Sequence, residues 1–450
     1  MSGSAGPSGL DPAARAKLLS RLGRAKAPVA APTAVPERPP LGDPGAVRDQ
    51  QLIRNAGALL GIEDTFFRTH DGLAGATTRV GGRVVANYAS YDYLGLNGHP
   101  RITAAAKAAI DRYGTTVSAS RIVSGERSFH RELERALANI HGAEDSLAFV
   151  SGHATNVSVI GSLIGPDDAV IYDELAHNSI YQGAVLSRAQ RIAFAHNDLD
   201  QLDAALAKAR RPGRRLLVVV EGHYSMDGDA PDLAGVVAAV RRHGAWLMVD
   251  EAHSLGVLGR TGAGVAERCG VDPRDVDLWM GTLSKALVSS GGYVAGAQGL
   301  IDYLRGAAPG FIYSVGLAPP VAAASIAALA VMREEPERVA RLNANAALFN
   351  ETARACGLDT GATIGAAIVP IMTGGSLRAA LGAAELWRRG VNVQPIFHPA
   401  VPERLARLRF FISASHQADE LVRVARLTAE VLEGIVVDQA LARAVAASDA

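Results

Sequence analysis

The 450-residue chain balances 45 Lys and Arg against 45 Asp and Glu, with 48% hydrophobic and 20% charged residues. That length supports a large core and two lobes, and the composition fits a globular enzyme better than a disordered or fibrous protein. A formal net charge of zero removes the electrostatic case for nucleic acid or an anionic membrane surface as the main partner.

Residues 1–50 read as a separate N-terminal extension. One helix is expected over 10–27, opened by Asp11 and Pro12, with Leu18, Leu19 and Leu22 on one face. The proline-dense stretch that follows, to about residue 45, favours an extended linker. Such a tethered apolar face suits either docking to a partner protein or a solubilising tail. Nothing near the start has the basic-then-apolar layout of a secretory signal.

Residues 51–100 are expected to pack with a small C-terminal lobe, and 101–335 to form the large domain. There short apolar runs recur at 146–150, 169–173, 191–195, 215–221, 246–250 and 276–281. Alanine-rich helical stretches such as 199–211 and 233–244 separate several of them. Strand and helix alternating at this spacing imply a mostly parallel sheet covered on both faces. The apolar stretch 317–332, opened by Pro319 and Pro320, reads as a buried helix too short to span a membrane comfortably. Residues 336–450 form the small α+β lobe, with three strand-like runs and a closing amphipathic helix. Two distant cysteines, Cys269 and Cys356, suit a reducing compartment, so a cytoplasmic location is expected, with neither disulfide framework nor metal site.

Parallel sheets bind ligands beyond the carboxyl ends of their strands, and four such ends carry unusual polar residues. After 146–150 comes SGHATN, where Gly152 and the His153 backbone open a helix able to hold a phosphate. After 169–173 comes His177, and after 215–221 the hydroxyl-rich loop with Ser225. Asp250 closes a fully apolar run, with His253 three residues on; a buried carboxylate there needs a cationic or strong donor partner. The last run ends in Thr282, Ser284 and Lys285. Each residue alone also fits a plain role: a helix cap, a satisfied histidine, an arginine-paired aspartate, a turn lysine. Together they fit one ligand, a pyridine ring with a phosphate and an aldehyde. Asp250 would hold the ring nitrogen protonated. His177 would stack on the ring, and Gly152, His153, Thr282 and Ser284 would hold the phosphate. Lys285, desolvated and of lowered pKa, would attach the cofactor.

At these residues the chain resembles the α-oxoamine synthases, pyridoxal 5'-phosphate enzymes of the aspartate-aminotransferase fold that include serine palmitoyltransferases, 8-amino-7-oxononanoate synthases and glycine C-acetyltransferases. The resemblance rests on SYDYLGL (90–96), SGHATN (151–156), LAHNS (175–179), EGHYSMDGD (221–229), DEAHSLGVLGRTGAG (250–264), GTLSKALVSSGGY (281–293) and FIYSVGLAPP (311–320). It implies a fold type I architecture: a large, mostly parallel sheet of the seven-stranded type and a small C-terminal α+β domain. It further implies a homodimer with shared sites, in which Ser314 reaches the partner's phosphate and Arg409, in LRFFISASH, takes the substrate carboxylate. Ser225 and His253 would serve the cofactor, His253 near its phenolic oxygen, and His177 would also hold the substrate carboxylate.

The implied reaction joins a small amino acid (serine, glycine or alanine) to an acyl thioester, on CoA or a carrier protein, giving an α-amino ketone, CO2 and a thiol. Lys285 would remove the α-proton. Tyr91 stands where serine palmitoyltransferases also have tyrosine. His153 departs from a position that is often phenylalanine or tyrosine. The wording around Lys285 also resembles members that work beside polyketide or fatty-acid assembly lines. Other readings are an aminotransferase or decarboxylase on the same fold, and a non-catalytic partner subunit; the presence of Lys285, Asp250 and His177 argues against the latter.

Overall fold

A computed structural model describes residues 66–438 together with Gly57 and Ile62. The helix expected over 10–27 and the linker after it lie outside the described residues.

The described chain begins with β1 (Thr77–Val80) and β2 (Arg83–Asn87), an antiparallel pair. Helices α1 (Pro100–Tyr113) and α2 (Ser128–Ile140) lead into the large sheet. Its strands are β3 (Asp145–Phe149), β4 (Ala169–Asp173), β5 (Gln190–Phe194), β6 (Leu216–Glu221), β7 (Trp246–Asp250), β8 (Leu278–Thr282) and β9 (Gly292–Gly296). Between them run α3 (Gly152–Leu163), α4 (Asn178–Leu186), α5 (Leu199–Ala209), α6 (Leu233–His243) and the short α7 (Val265–Cys269). The spatial order is β3-β9-β8-β7-β6-β4-β5. The pairs from β5 through β8 are all parallel, while β9 runs antiparallel to both its neighbours.

The six apolar runs of the sequence are β3 to β8, each within two residues at either end. They read as strands because parallel strands covered on both faces must be apolar on both. β6 is buried at every position. β9 was not among the expected strands, since GYVAG lacks the apolar density of its neighbours. Its glycines answer a spacing problem: a Cβ at Gly292 would lie 2.7–2.8 Å from the Gly152 backbone, and one at Gly296 2.7 Å from the Asp277 carbonyl oxygen.

Beyond β9 come α8 (Gln298–Ala307), the single turn α9 (Pro309–Ile312), α10 (Pro319–Glu334) and α11 (Glu337–Ala355). Pro319 and Pro320 occupy the first turn of α10, where a missing N–H costs nothing. The C-terminal part contains β10 (Ile368–Met372), α12 (Ser376–Arg388), β11 (Val391–Asn392), β12 (Gln394–Ile396), β13 (Arg407–Phe411) and α13 (Ala418–Glu433). Helix α13 buries Leu421, Val424, Ala425, Thr428, Val431 and Leu432, one stripe at helical spacing. β10, β13 and β12 form an antiparallel sheet. β11 instead joins β2, in parallel register with Asn392 opposite Asn87. The N-terminal segment therefore shares a sheet with the C-terminal part.

The loop after β6 ties this part to the large sheet. Gly228, at φ +69°, accepts hydrogen bonds from Thr363 Oγ1 (3.1 Å) and the Ile364 N–H (3.0 Å). A Cβ there would meet the Ile368 carbonyl at 2.2 Å, so the approach requires glycine.

Candidate active site

Lys285 follows β8 in a tight loop. Its carbonyl accepts from the Val288 N–H at 2.9 Å, and the Leu283 carbonyl from the Ser289 N–H at 2.9 Å. Val288 closes the turn at φ +43°, a conformation that costs a β-branched residue roughly 1–3 kcal/mol. The half-buried lysine borders a cavity of about 440 Å³, lined also by Tyr91, Ser284 and Val288. Burial pulls the ammonium below its ordinary pKa, against the opposing pull of Asp250 and Glu221. Its Nζ lies 5.9 Å from the Tyr91 ring centroid.

Asp250 ends β7, buried, directly across the ladder from Glu221 at the end of β6. Its Oδ2 accepts from Asn156 Nδ2 (2.8 Å) and its Oδ1 from the Ala252 N–H (2.9 Å). Asn156 Nδ2 also donates to Ser179 Oγ, so the amide is fixed in place. No arginine or lysine forms an ion pair with Asp250 among the described residues, so the arginine-paired reading of this carboxylate fails. Glu221 accepts the His177 N–H at 2.5 Å. Burial, reinforced by Asp250, pushes the Glu221 carboxyl well above its ordinary pKa and favours its protonated form.

His177 caps α4, its Nδ1 2.7 Å from Ser179 Oγ, with its ring exposed. Desolvation lowers its pKa, Asp250 opposes this, and Lys285 adds to it. His253 is buried and pushed well below its ordinary pKa by that burial, so the imidazole is neutral. The Tyr93 hydroxyl sits 2.7 Å from its Nδ1, which leaves Nε2 for a ligand.

The start of α3 lies against the end of β8. The Ser151 side chain caps the Ala154 N–H (3.1 Å), leaving the N–H groups of Gly152 and exposed His153 for an anion. A Cβ on Gly152 would come within 3.3 Å of Thr282 Oγ1, filling that cradle. Thr282 Oγ1 and Ser284 Oγ are 2.8 Å apart.

Two arginines of β13 differ sharply. Arg407 pairs with Asp227 at 2.6 Å. Arg409 has no carboxylate partner among the described residues: Nη1 donates to the Ser225 carbonyl (3.0 Å) and contacts Met226 Sδ, while its buried Nε has no partner. The guanidinium lies 4.6 Å from the Phe411 ring centroid, and Phe411 packs edge-on against Tyr91 at 4.8 Å. A half-buried, unneutralised guanidinium asks for a carboxylate.

Lys285, Tyr91 and Ser284 thus line the cavity, Asp250, His177, His253 and Arg409 lie within electrostatic reach of Lys285, and Gly152, His153, Thr282 and Ser284 form an anion cradle. Ser225 contributes its carbonyl to Arg409. Ser314 lies elsewhere in the same chain, in a small cleft with Arg121 and Phe311. Sequence reasoning did not single out Asn156, Glu221, Tyr93 or Phe411. Glu221 carried the same signal as Asp250, an acid ending an apolar run; the others reveal themselves only through contacts distant in sequence. These groups fit pyridoxal phosphate: a lone lysine, a fixed carboxylate for a ring nitrogen, a ring-facing histidine and an anion cradle. Among the described residues no group of three or more His, Cys, Asp and Glu is arranged to hold a metal.

The profile of the family "Aminotransferase class I and II" matches residues 83–427. The 8-amino-7-oxononanoate synthase of Anaeromyxobacter sp. (strain K) is 44% identical over 347 residues, 77% of this chain and 86% of its own length. That of Geobacter sulfurreducens is 42% identical over 393 residues, 87% of this chain and 97% of its own. Among solved structures, the serine palmitoyltransferase of Sphingomonas wittichii superposes with a TM-score of 0.81 at 30% identity, covering 86% of this chain and 98% of its own. The enzyme of S. paucimobilis, solved with PLP and myriocin bound, gives 0.82 at 29% identity, covering 87% and 98%.

Proposed function

Since the chain belongs to the aminotransferase class I and II family, we propose that it acts as an α-oxoamine synthase, joining a small amino acid to an acyl thioester with release of CO2 and a free thiol. The observation that carries this reading is the juxtaposition of Lys285 and Asp250 with an arginine, Arg409, that lacks a carboxylate partner among the described residues. Pyridoxal 5'-phosphate is the cofactor, and when bound it supplies an electron-withdrawing ring that stabilises negative charge at the substrate's α-carbon.

The chain's own residues supply the rest. Lys285, whose burial raises the share of free amine, takes the α-proton. Asp250, fixed by Asn156 and the Ala252 N–H, would keep a positive charge at the ring nitrogen. His177 would cover the ring face, and His253 would offer Nε2 to the ring's phenolic oxygen. Arg409, with Tyr91 beside it, receives the carboxylate that later leaves as CO2. Phe411 packs behind both and limits water.

A homodimer is part of the same proposal. Val123 (78% exposed), Tyr313 (85%), Ile122 and Val315 lie bare, and a β-bridge between Ser120 and Val315 joins their two segments. An exposed apolar cluster of this kind suits a second copy, and Ser314 within it would then reach the partner's phosphate cradle. No helix among the described residues is long and apolar enough to cross a membrane. Two free cysteines suit the reducing cytoplasm. Serine, glycine and alanine should each be offered with CoA-bound and carrier-bound acyl groups, while CO2 and ketone are measured. CO2 release that strictly requires a thioester is expected; release or transamination without one would overturn the reading.

A further inference from the structure

In the cavity that Lys285 borders, β2 and β11 place two buried asparagines opposite each other, Asn87 and Asn392. Buried amides cost free energy unless their groups are paired. The network fixes which way each amide points. Asn87 Nδ2 donates to the Gly75 carbonyl (3.0 Å), and Asn87 Oδ1 accepts from the Ala89 N–H (3.3 Å). Asn392 must therefore turn its Nδ2 to Asn87 Oδ1, at 2.9 Å. That leaves Asn392 Oδ1, on a residue only 1% exposed, with no hydrogen-bond partner among the described residues. A lone acceptor asks for a donor. Gln394, two residues along β11–β12, also lines the cavity and stands directly across the β12–β13 ladder from Arg409. The lining is thus amide-rich from the asparagine pair to Gln394 beside the arginine, where a site for a plain alkyl chain would be apolar.

We propose that Asn392 Oδ1 is a specificity contact that accepts a hydrogen bond from the acyl thioester, so that this site selects a thioester carrying a donor near its reactive carbonyl. The inference rests on the condensing reaction proposed above. Two parts of a thioester carry such a donor: a hydroxyl on the acyl chain, or an amide N–H of the pantetheine arm.

The test uses the full-length holoenzyme and hexanoyl thioesters with and without a hydroxyl at successive carbons. Each is presented on CoA and as an S-ethyl thioester, which has no donor in its leaving group. Losing one buried hydrogen bond to an uncharged donor is worth about tenfold in kcat/KM. If the acyl hydroxyl is the donor, the unmodified enzyme prefers one hydroxylated chain about tenfold on both leaving groups, and Asn392→Leu abolishes that preference. If the arm is the donor, hydroxylation is neutral, the unmodified enzyme favours CoA over S-ethyl thioesters, and Asn392→Leu removes about tenfold from the CoA series alone. A flat ranking of all these thioesters by the unmodified enzyme overturns the proposal, whether or not the leucine variant folds. So does a leucine variant that keeps the parent's ranking. Thioester-dependent CO2 release persists in either case; its absence from the unmodified enzyme would instead sink the parent reading.

Discussion

Two walls border Lys285, and they are built on different electrostatic terms. The carboxyl edge of the seven-stranded sheet gathers Asp250, Glu221 and His253, each ending or just following a buried strand. The second wall, from β2, β11, β12 and β13, offers amides and one unneutralised guanidinium. Carboxyl groups on the first wall are held by neighbours in the same chain, Asn156 on Asp250 and the His177 N–H on Glu221. Arg409 Nε and Asn392 Oδ1 on the second wall are left open, as is the oxygen of Asn156 on the first. The lesson is a division of labour: the sheet edge prepares chemistry, while the small-sheet wall is shaped for what enters.

The largest test of that division falls on the sheet edge. Lys285→Ala removes the only amine of this site that is poised to move a proton, and general-base groups contribute about 10²–10⁴-fold. Turnover should fall by at least about a thousandfold, while cofactor still binds through the anion cradle and Asp250. Borohydride should fix the cofactor to the parent enzyme at Lys285 and leave the alanine variant unlabelled. Turnover within tenfold of the parent would break the assignment.

Arg409→Lys should act on the other wall. A lysine keeps the charge but loses the planar fork and its stacking on Phe411. Hydrogen bonds to charged groups are worth about 1.5–3 kcal/mol, so the amino-acid KM should rise about 10–100-fold. Cofactor affinity should stay within about twofold. Equal weakening of both would mean that Arg409 merely supports the loop at Ser225, and the contrast between the walls would disappear.

The two walls also differ in how far the sequence reveals them. β3 to β8 are legible because strands covered on both faces must be apolar throughout, and a polar residue ending such a run stands out. That signal marks Asp250, and it marks Glu221 as plainly. β9 is not legible, because its glycines serve close backbone approach rather than burial. β1, β2 and β11 are short, and the pairing of β2 with β11 joins residues about 300 positions apart. Arg407 and Arg409 look alike in the sequence; only the position of Asp227 in space shows which one is spent. Asn156 sits within a motif that draws notice for its phosphate-binding start, yet its work is done on Asp250, 94 positions away.

The smallest effect concerns a residue on the sheet edge that holds rather than reacts. His196, just beyond β5, places Nδ1 2.9 Å from Asp173 and Nε2 2.8 Å from Asp229, bridging the end of β4 to the loop that carries Ser225 and Gly228. Burial works against its charge, but the hydrogen bonds to Asp173 and Asp229 prevail and raise its pKa to about 10. The folded value lies above the ordinary 6.5, so its stabilisation is full below about pH 6.5 and is lost as pH rises through about 10. At 1.36 kcal/mol per pKa unit, reduced because the ring is partly exposed, the contribution is of order 3 kcal/mol. His196→Asn should therefore cost most in denaturant unfolding near pH 6 to 7, and the gap to the parent should shrink towards pH 10. The kcat at pH 7 should change by less than about threefold, since His196 touches neither Lys285 nor Arg409. A gap that stays constant across that range would show that the bridge holds by packing alone. A large loss of kcat would move His196 from the frame into the chemistry, and the carboxyl edge of the sheet could no longer be divided into parts that react and parts that hold.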